Sequence, residues 1–387
     1  MKSYFDDSWK DLSTIIVYGL GMVGKKYFSI LKNDFKIKYI VDNNPDISSY
    51  YEGTKVISLS EMVLLKGNEK IIVLASKKAY DSIKRDLDKQ GLSEYEDYVR
   101  FDDFVKEWYW QIENKNCIRE VHMSVNTNCT YNCEKCNMFV PYYKDDKIYT
   151  VAEVRKSLDV FFPLIDYVFV FSYLGGEPFL NHELKDILEY TYRNYHSKIG
   201  RIEIISNGSI IPDEETLSVM HRYNVLVRIS DYTAQINYRE KLEQLISILS
   251  RYGIQYSIER SLEWVDFCFP YAEKENKLLI KDVRTHMLCC APAFHGLNDG
   301  KFYYCHVAWS AEKAGLIKLK DSDFIDLENC SVNPDSKRHL VEYAGGDMEG
   351  GYVSLCKKCM GCGTDNPYSI PAGKQKSRNT SNKNGKC

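Results

Sequence analysis

The sequence predicts an α/β protein built around parallel sheets. Apolar runs rich in β-branched and aromatic residues alternate with helix-like stretches between residues 15 and 231 of the 387-residue chain. This alternation favours parallel sheets, because two parallel strands must be joined by a long crossover connection, usually a helix. The length is sufficient for two or three domains. A third observation is that most of the thirteen cysteines are clustered, which indicates metal binding.

The first predicted unit is a doubly wound, Rossmann-like domain over residues 1–105. Its predicted elements are strand 15–18, helix 25–31, strand 35–41, strand 70–75 and helix 80–90. The first strand and helix are joined by the pattern G-x-G-x-x-G. Such glycines permit a tight turn and bring the backbone close to a pyrophosphate at the N-terminus of the helix.

Two interpretations of this glycine turn stay open. In the first, Gly19, Gly21, Gly24 and Asp42 bind NAD or a nucleotide sugar, because an acidic residue about 20 residues past the glycines is the usual ribose ligand. In the second, the domain is a docking module whose glycines serve only helix–strand packing. The turn at 42–45 is similar to the D-x-N-P turn of the Rossmann-like N-terminal domain on some bacterial polysaccharide-modifying enzymes.

Three cysteines, Cys129, Cys133 and Cys136, follow the strand-like run 121–127 with the spacing C-x3-C-x2-C. Three thiolates from one short loop can hold three irons of a 4Fe-4S cluster and leave the fourth iron open to a small molecule. A structural zinc site is the alternative, since zinc also binds closely spaced thiolates.

Further motifs follow the next three predicted strands. Strand 166–174 ends in Gly-Gly-Glu-Pro, strand 201–205 precedes Ser-Asn-Gly, and strand 225–229 ends in Ser-Asp. The helix-like stretches between these strands are 183–195 and 213–223. In parallel barrels, functional residues lie at the C-terminal ends of the strands. The residues at these ends are Gly175, Gly176, Glu177, Ser206, Asn207 and Ser230.

The ordered set of motifs resembles the radical S-adenosylmethionine (SAM) superfamily. The resemblance implies a partial (β/α)6 barrel over residues 116–285, in which Cys129, Cys133 and Cys136 hold a 4Fe-4S cluster whose open iron chelates SAM. It implies contacts with the SAM amino group from the Gly-Gly-Glu motif. It also implies further SAM contacts from Ser206, Asn207 and Ser230, although the family usually has Thr where Ser206 stands.

The C-terminal third contains a second group of cysteines. Asn298-Asp299-Gly300 is a hairpin turn signal between Cys290 and Cys305, and the run C-x2-C-x2-C begins at Cys356. Over residues 286–365 this pattern resembles the SPASM or twitch modules of radical SAM enzymes. The resemblance implies an auxiliary 4Fe-4S cluster, so two clusters in the chain. Its implied ligands are Cys290, Cys305, Cys356 and Cys359, with Cys362 as an alternative ligand.

Several alternatives remain open for these cysteines. Asp365 stands where a full SPASM pattern needs a cysteine, so the number of auxiliary clusters is undecided. A zinc site formed by the run 356–362 is another interpretation. Cys289 and Cys330 are unassigned. Cys117 and Cys268 are predicted to be buried packing residues, because free cysteine is commonly buried.

The resemblance implies reductive cleavage of SAM to a 5′-deoxyadenosyl radical, which removes hydrogen from the substrate. Together with the N-terminal unit, the resemblance favours a sugar-type or nucleotide-linked substrate of polysaccharide biosynthesis. It also implies a net oxidation assisted by the auxiliary cluster and an electron donor such as flavodoxin or ferredoxin. The alternatives are a radical SAM/SPASM peptide maturase and a non-enzymatic Fe-S regulatory or assembly protein. No residue is identified as a catalytic acid or base.

The composition limits the classes of partner and the cellular location that we expect. A net charge of −3 gives no electrostatic case for nucleic acid or an anionic membrane. The sequence contains no apolar run long enough for a transmembrane helix and no N-terminal signal-peptide pattern. Clustered cysteines then indicate a reducing cytoplasm. The tail 366–387 has five Lys or Arg residues and no acidic ones, and it is predicted to be disordered.

Overall fold

The computed structural model describes residues 4–44, 46–260, 262–270, 282–290, 294–362 and 366–376. These residues form a mixed α/β fold with parallel sheets, as the sequence predicts. Within them, no helix combines the length and the apolar character needed to cross a membrane.

The N-terminal unit contains a six-stranded sheet. Its strands are β1 (Thr14–Tyr18), β2 (Lys36–Val41), β3 (Tyr50–Tyr51), β4 (Thr54–Ile57), β5 (Lys70–Val73) and β6 (Tyr98–Arg100). Its helices are α1 (Met22–Asp34), α2 (Leu59–Leu65) and α3 (Lys77–Lys89). The strand order is β3-β4-β2-β1-β5-β6, and every neighbouring pair is parallel except β3 with β4.

Strand β1 is buried on both faces of the sheet. Neighbouring side chains along a strand point to opposite faces, and all those from Ile15 to Tyr18 are buried. Ile15 and Val17 pack in one core with α1, whereas Ile16 and Tyr18 pack in another with α2 and α3. Helices therefore cover both faces of this sheet, which is a doubly wound arrangement.

A short helical segment joins this unit to the rest of the chain. It consists of α4 (Phe101–Asp103), a π-helical stretch (Phe104–Trp108) and α5 (Tyr109–Gln111). The ring of Phe101 packs edge-on against Phe169, with their centroids 5.4 Å apart. The indole of Trp108 donates a hydrogen bond to the carbonyl of Trp9. The linker thus contributes aromatic side chains to the core shared by the two sheets.

The second sheet contains most of the remaining strands. Strands β7 to β11 are Cys117–Ser124, Tyr167–Leu174, Ile199–Ser206, Leu226–Ser230 and Tyr256–Glu259, and β12 to β16 are Glu263–Val265, His295–Asn298, Lys301–Tyr303, Phe324–Asp326 and Ser369–Pro371. Helices α6 to α9 are Val151–Phe161, Leu184–Tyr195, Glu214–Arg222 and Arg239–Arg251, and α10 to α12 are Val283–Cys289, His306–Lys313 and Pro334–Ala344. The sheet order is β11-β10-β9-β8-β7-β13-β14-β15.

The two faces of this sheet differ in polarity. On β7, Val121 and Met123 belong to a large apolar core that includes residues of α6 to α9. The side chains of Glu120, His122 and Ser124 alternate with them and belong to the opposite face. The helices therefore cover one face, and polar side chains collect on the other.

The predicted strands and helices of this region are observed, with boundaries shifted by a few residues. The predicted hairpin is also present: Asp299 and Gly300 have φ of +55° and +70°, and β13 pairs antiparallel with β14. One feature was not predicted. Strand β13 also pairs in parallel with β7, through His295 with Val121 and Gly296 with His122. One continuous sheet therefore crosses the domain boundary expected at residues 285–286.

The prediction of a disordered tail is wrong for residues 366–376. Strand β16 pairs antiparallel with β12, and Gln375 forms an isolated β-bridge with Cys133. The polar composition did not reveal this segment, because its order depends on backbone hydrogen bonds to distant parts of the chain. Residues 377–387 and Asp365 lie outside the described residues.

Candidate functional site

A cavity of about 250 Å³ lies at the carboxyl ends of β7 to β10. It brings together residues from every motif that follows a strand. The predicted residues on its wall are Cys129, Cys133, Cys136, Gly175, Gly176, Ser206, Asn207 and Ser230. We call this cavity the three-thiol pocket.

The two glycines are required by close backbone contact. A Cβ atom on Gly176 would lie 1.9 Å from the carbonyl oxygen of Asn128, and one on Gly175 would lie 2.3 Å from Oδ1 of Asn126. The backbone N–H of Gly176 donates to that same Oδ1 over 3.0 Å. The loop after β8 is therefore held directly against the segment that leads into Cys129.

Glu177 does not line the three-thiol pocket, and its contact with the SAM amino group stays a prediction. The side chain is fully buried. It accepts hydrogen bonds from the Ser206 hydroxyl at 2.9 Å and from the Asn207 backbone N–H at 2.8 Å. Burial raises the pKa of Glu177 to about 7, although these hydrogen bonds act in the opposite direction. Glu177 thus positions the loop after β9.

Asn207 connects that loop to the cysteines. Its side-chain amide donates to the Cys129 sulfur over 3.4 Å and to the Thr130 hydroxyl over 3.1 Å. The hydroxyl of Tyr238 donates to the Asn207 carbonyl over 3.0 Å. These contacts fix the amide of Asn207 beside the pocket.

The donor set fits an iron–sulfur cluster. Burial raises the pKa of Cys129 and of Cys133 to about 12, so both thiols need a metal cation to become thiolates at neutral pH. In the described parts of the chain, no three His, Cys, Asp or Glu side chains converge closely enough to hold a single metal ion. The three thiols border one cavity, a placement compatible with the ligands of an iron–sulfur cluster.

Sequence reasoning missed part of the pocket wall. His122 and Arg228 lie there, together with the aromatic side chains Tyr131, Tyr232 and Trp264. A signal for the first two was present, because each is a polar residue that alternates with apolar residues in a strand. No local signal marks Trp264.

His122 lies in a buried charged group. Its Nε2 is 2.7 Å from Oε1 of Glu120, and the Lys26 ammonium lies 2.6 Å from the same oxygen. Burial lowers the pKa of His122, with Glu120 opposing the shift, so the ring is predominantly neutral at pH 7. A neutral imidazole can form hydrogen bonds with a bound molecule at little electrostatic cost.

A second, smaller cavity of about 50 Å³ is lined by five thiols. They are the four predicted auxiliary ligands and the alternative one: Cys290, Cys305, Cys356, Cys359 and Cys362. Asn137, Phe294 and Val307 line both cavities, so the two share a wall. We call the second cavity the five-thiol pocket.

Cys362 lines the five-thiol pocket together with the four predicted auxiliary ligands. A hydrogen bond with Cys362, and then burial, raises the pKa of Cys290. Gly361 fits tightly, because a Cβ atom there would lie 2.4 Å from the Cys290 sulfur. The thiol of Cys330 instead donates to the Asp326 carbonyl, and neither Cys330 nor Cys289 lines the pocket.

Cys117 and Cys268 are both buried, as predicted for packing residues. The remaining predicted residues lie in the N-terminal unit. A Cβ atom on Gly24 would lie 2.1 Å from the Gly19 carbonyl oxygen, so this glycine permits close packing of α1 on β1.

Gly21 lies at the N-terminus of α1, with no atom within 4 Å of where its Cβ would be. Asp42 turns toward the glycine loop, where Oδ2 accepts the Leu20 N–H over 2.7 Å. Packing and ligand binding are therefore both compatible with this loop.

Comparison with known proteins gives limited similarity. Residues 12–97 match the family described as C2185-like, N-terminal. No curated protein sequence matches the chain.

Several solved structures are similar at low identity. One is native anSMEcpe with bound AdoMet, at 17% identity and a TM-score of 0.31, covering 41% of this chain and 50% of that one. SuiB from Streptococcus suis bound to S-adenosylmethionine has 15% identity and a TM-score of 0.29, covering 38% and 34%. BtrN in complex with AdoMet and 2-DOIA has 16% identity and a TM-score of 0.38, covering 63% and 92%.

The present chain thus spans half of the anSMEcpe chain and about one third of SuiB. At these TM-scores the similarity carries no argument about function.

Proposed function

We propose that this protein is a radical SAM enzyme. One observation carries the proposal: the three cysteines of one loop border a single pocket together with the backbone of Gly175 and Gly176 and the side chains of Asn207 and Ser230. When bound, a 4Fe-4S cluster with an open iron supplies the electron that splits SAM into methionine and a 5′-deoxyadenosyl radical.

The residues of the pocket have distinct roles in this proposal. Cys129, Cys133 and Cys136 hold three irons. The backbone of the two glycines lies where it can bind the amino acid part of SAM, and Ser230 provides a hydroxyl for a polar group of the ligand. Tyr131 and Tyr232 are aromatic walls that restrict water near the reacting carbon.

An auxiliary cluster in the five-thiol pocket supports a net oxidation. Asn137, Phe294 and Val307 line both pockets, so a cluster held by the five thiols would lie close enough to the substrate to accept an electron from it. The outside electron donor in this proposal is a flavodoxin or ferredoxin of a reducing cytoplasm, where thiol ligands stay reduced.

The substrate proposed here is a sugar-type or nucleotide-linked molecule. His122, Arg228 and Trp264 support it. A sugar hydroxyl can accept a hydrogen bond from a guanidinium group and can donate to or accept from a neutral imidazole, and a sugar ring can pack on an indole. The glycine turn beside Asp42 supports nucleotide or nucleotide-sugar binding by the N-terminal Rossmann-like unit, or docking. Peptide maturation is the second candidate reaction.

Reductive cleavage of SAM tests the proposal. Anaerobically reconstituted protein should produce 5′-deoxyadenosine from SAM and a strong reductant, whereas the triple variant Cys129→Ala, Cys133→Ala, Cys136→Ala should not. Cys330→Ala is the matched control, because its thiol lies in neither pocket. Equal turnover by the triple variant would refute the assignment of the site.

A further inference from the structure

The segment 366–376, which we call the C-terminal strap, connects the two thiol pockets. At its start the Asn366 amide donates to the Gly361 carbonyl over 2.7 Å, next to Cys362. Farther on, β16 pairs with β12, and the Ala372 N–H donates to Leu262. The strap therefore begins at the five-thiol pocket and then leaves it.

The end of the strap lies on the loop that carries Cys133. The Glu134 N–H donates to the Lys374 carbonyl over 2.6 Å, and the Lys376 N–H donates to the Asn132 carbonyl over 2.7 Å. These two bonds flank Cys133 and form the β-bridge between it and Gln375. The ammonium of Lys374 also lies 2.9 Å from Oε2 of Glu134.

The side chain of Gln375 then reaches the thiol itself. Its amide nitrogen donates to the Cys133 sulfur over 3.1 Å, and its amide oxygen accepts from the Asn132 N–H over 3.0 Å. The same nitrogen donates to the Gly373 carbonyl over 2.8 Å, which holds the amide in this orientation. Both polar ends of the side chain are thus engaged at the predicted cluster loop.

We propose that the strap clamps the cluster loop. We also propose that Gln375 is a positioning residue, which raises the reduction potential of the cluster held by Cys133. Both statements about the cluster rest on the proposed function. A hydrogen bond to a ligand sulfur stabilises negative charge on the cluster. The reduced cluster has one more electron than the oxidised one, so it is stabilised more. Reduction therefore becomes easier when Gln375 is present.

The midpoint potential of the cluster tests the redox part. Gln375→Met keeps an unbranched side chain but loses both amide contacts, and Gln255→Met, on an exposed site, is the matched control. At equal iron content, Gln375→Met should shift the potential to a more negative value, whereas the control should match the wild type. An unchanged midpoint potential in Gln375→Met overturns the redox role, because that result is what a purely structural contact would give.

Thiol labelling tests the clamp without any cluster. In iron-free, reduced protein, a chain ending at Gly373 should react with iodoacetamide at Cys133 several-fold faster than a chain ending at Lys376, since the former lacks the hydrogen bonds that cover this residue. Equal rates overturn the clamp.

The two experiments separate this proposal from the proposed function. If the wild type assembles no cluster in the pocket, the proposed function fails and the redox role of Gln375 fails with it. The labelling comparison still decides whether the strap protects Cys133. If the cluster forms and cleaves SAM but neither variant differs from its control, the strap proposal alone is wrong.

Discussion

Lys26 in α1 and Glu120 in β7 form an ion pair of 2.6 Å between the N-terminal unit and the second sheet. The side chain of Glu120 is only 3% exposed, and the hydroxyl of Tyr27 also donates to it over 2.8 Å. Burial alone would raise the pKa of Glu120, but Lys26 and His122 hold it well below the usual range. A residue of one unit thus neutralises a carboxylate beside the pocket of the other.

Lys26→Met should destabilise the protein strongly. Removing one partner of a buried ion pair leaves an uncompensated charge, which typically costs about 3–5 kcal/mol. Urea unfolding should show a lower midpoint. The double variant Lys26→Met, Glu120→Gln should recover part of the loss, because the buried charge is then absent. No recovery would contradict this account of the pair.

Glu177→Gln should change how stability depends on pH. The folded-state pKa of about 7 lies above the ordinary value of 4.5, so the folded protein binds the proton more tightly than the unfolded chain. The contribution of Glu177 is therefore fully present below pH 4.5 and is lost as the pH rises to 7. The stability difference between wild type and Glu177→Gln should fall across this window. A constant difference would show that Glu177 does not titrate there.

Gly176→Ala should abolish SAM binding and reduce iron incorporation. The added Cβ would lie 1.9 Å from the Asn128 carbonyl oxygen, so the segment entering the cysteine loop must move. Gly21→Ala is the matched control, because that Cβ meets no atom within 4 Å and Gly21 has φ of −70°. Equilibrium dialysis with labelled SAM measures the effect, and equal binding by both variants would contradict it.

The iron content of cysteine variants should show which cysteines bind the auxiliary cluster. Two 4Fe-4S clusters give about eight irons per chain, and removal of all three cysteines at 129, 133 and 136 should leave about half. In that background, replacing Cys356, Cys359 and Cys362 together with Ser should remove the remaining iron, because only two of the five thiols are left, whereas Cys330→Ser should retain it. About four irons with one zinc in the wild type would favour a zinc site at residues 356–362 instead.

Asp42→Ala should remove nucleotide binding by the N-terminal unit. A ligand that binds only the native state raises the melting temperature, so full-length protein screened with NAD and common nucleotide sugars should show a shift that the variant lacks. SAM cleavage should be unchanged, because Asp42 is not on the wall of the three-thiol pocket. No shift with any of these ligands would leave the unit as a docking module.

Much of the architecture could be predicted from local pattern. The strands ending at Val41 and Leu174 and the helix ending at Tyr195 were recognisable, because apolar periodicity records which face of an element is buried. The three cysteines and the paired glycines were also recognisable, because each motif consists of residues that are close together in the sequence. Local pattern alone therefore identifies most of the predicted ligands on the wall of the three-thiol pocket.

The remaining features depend on pairings between residues far apart in the chain. The sequence by itself determined the mixed α/β fold, the clusters of thiols and the glycine loops, since each depends on residues close to one another. Only the tertiary structure decided that β13 joins β7, that Glu177 positions a loop, and that Gln375 contacts Cys133. Backbone and amide hydrogen bonds leave no periodic apolar signature, so their partners become known only when the chain is folded.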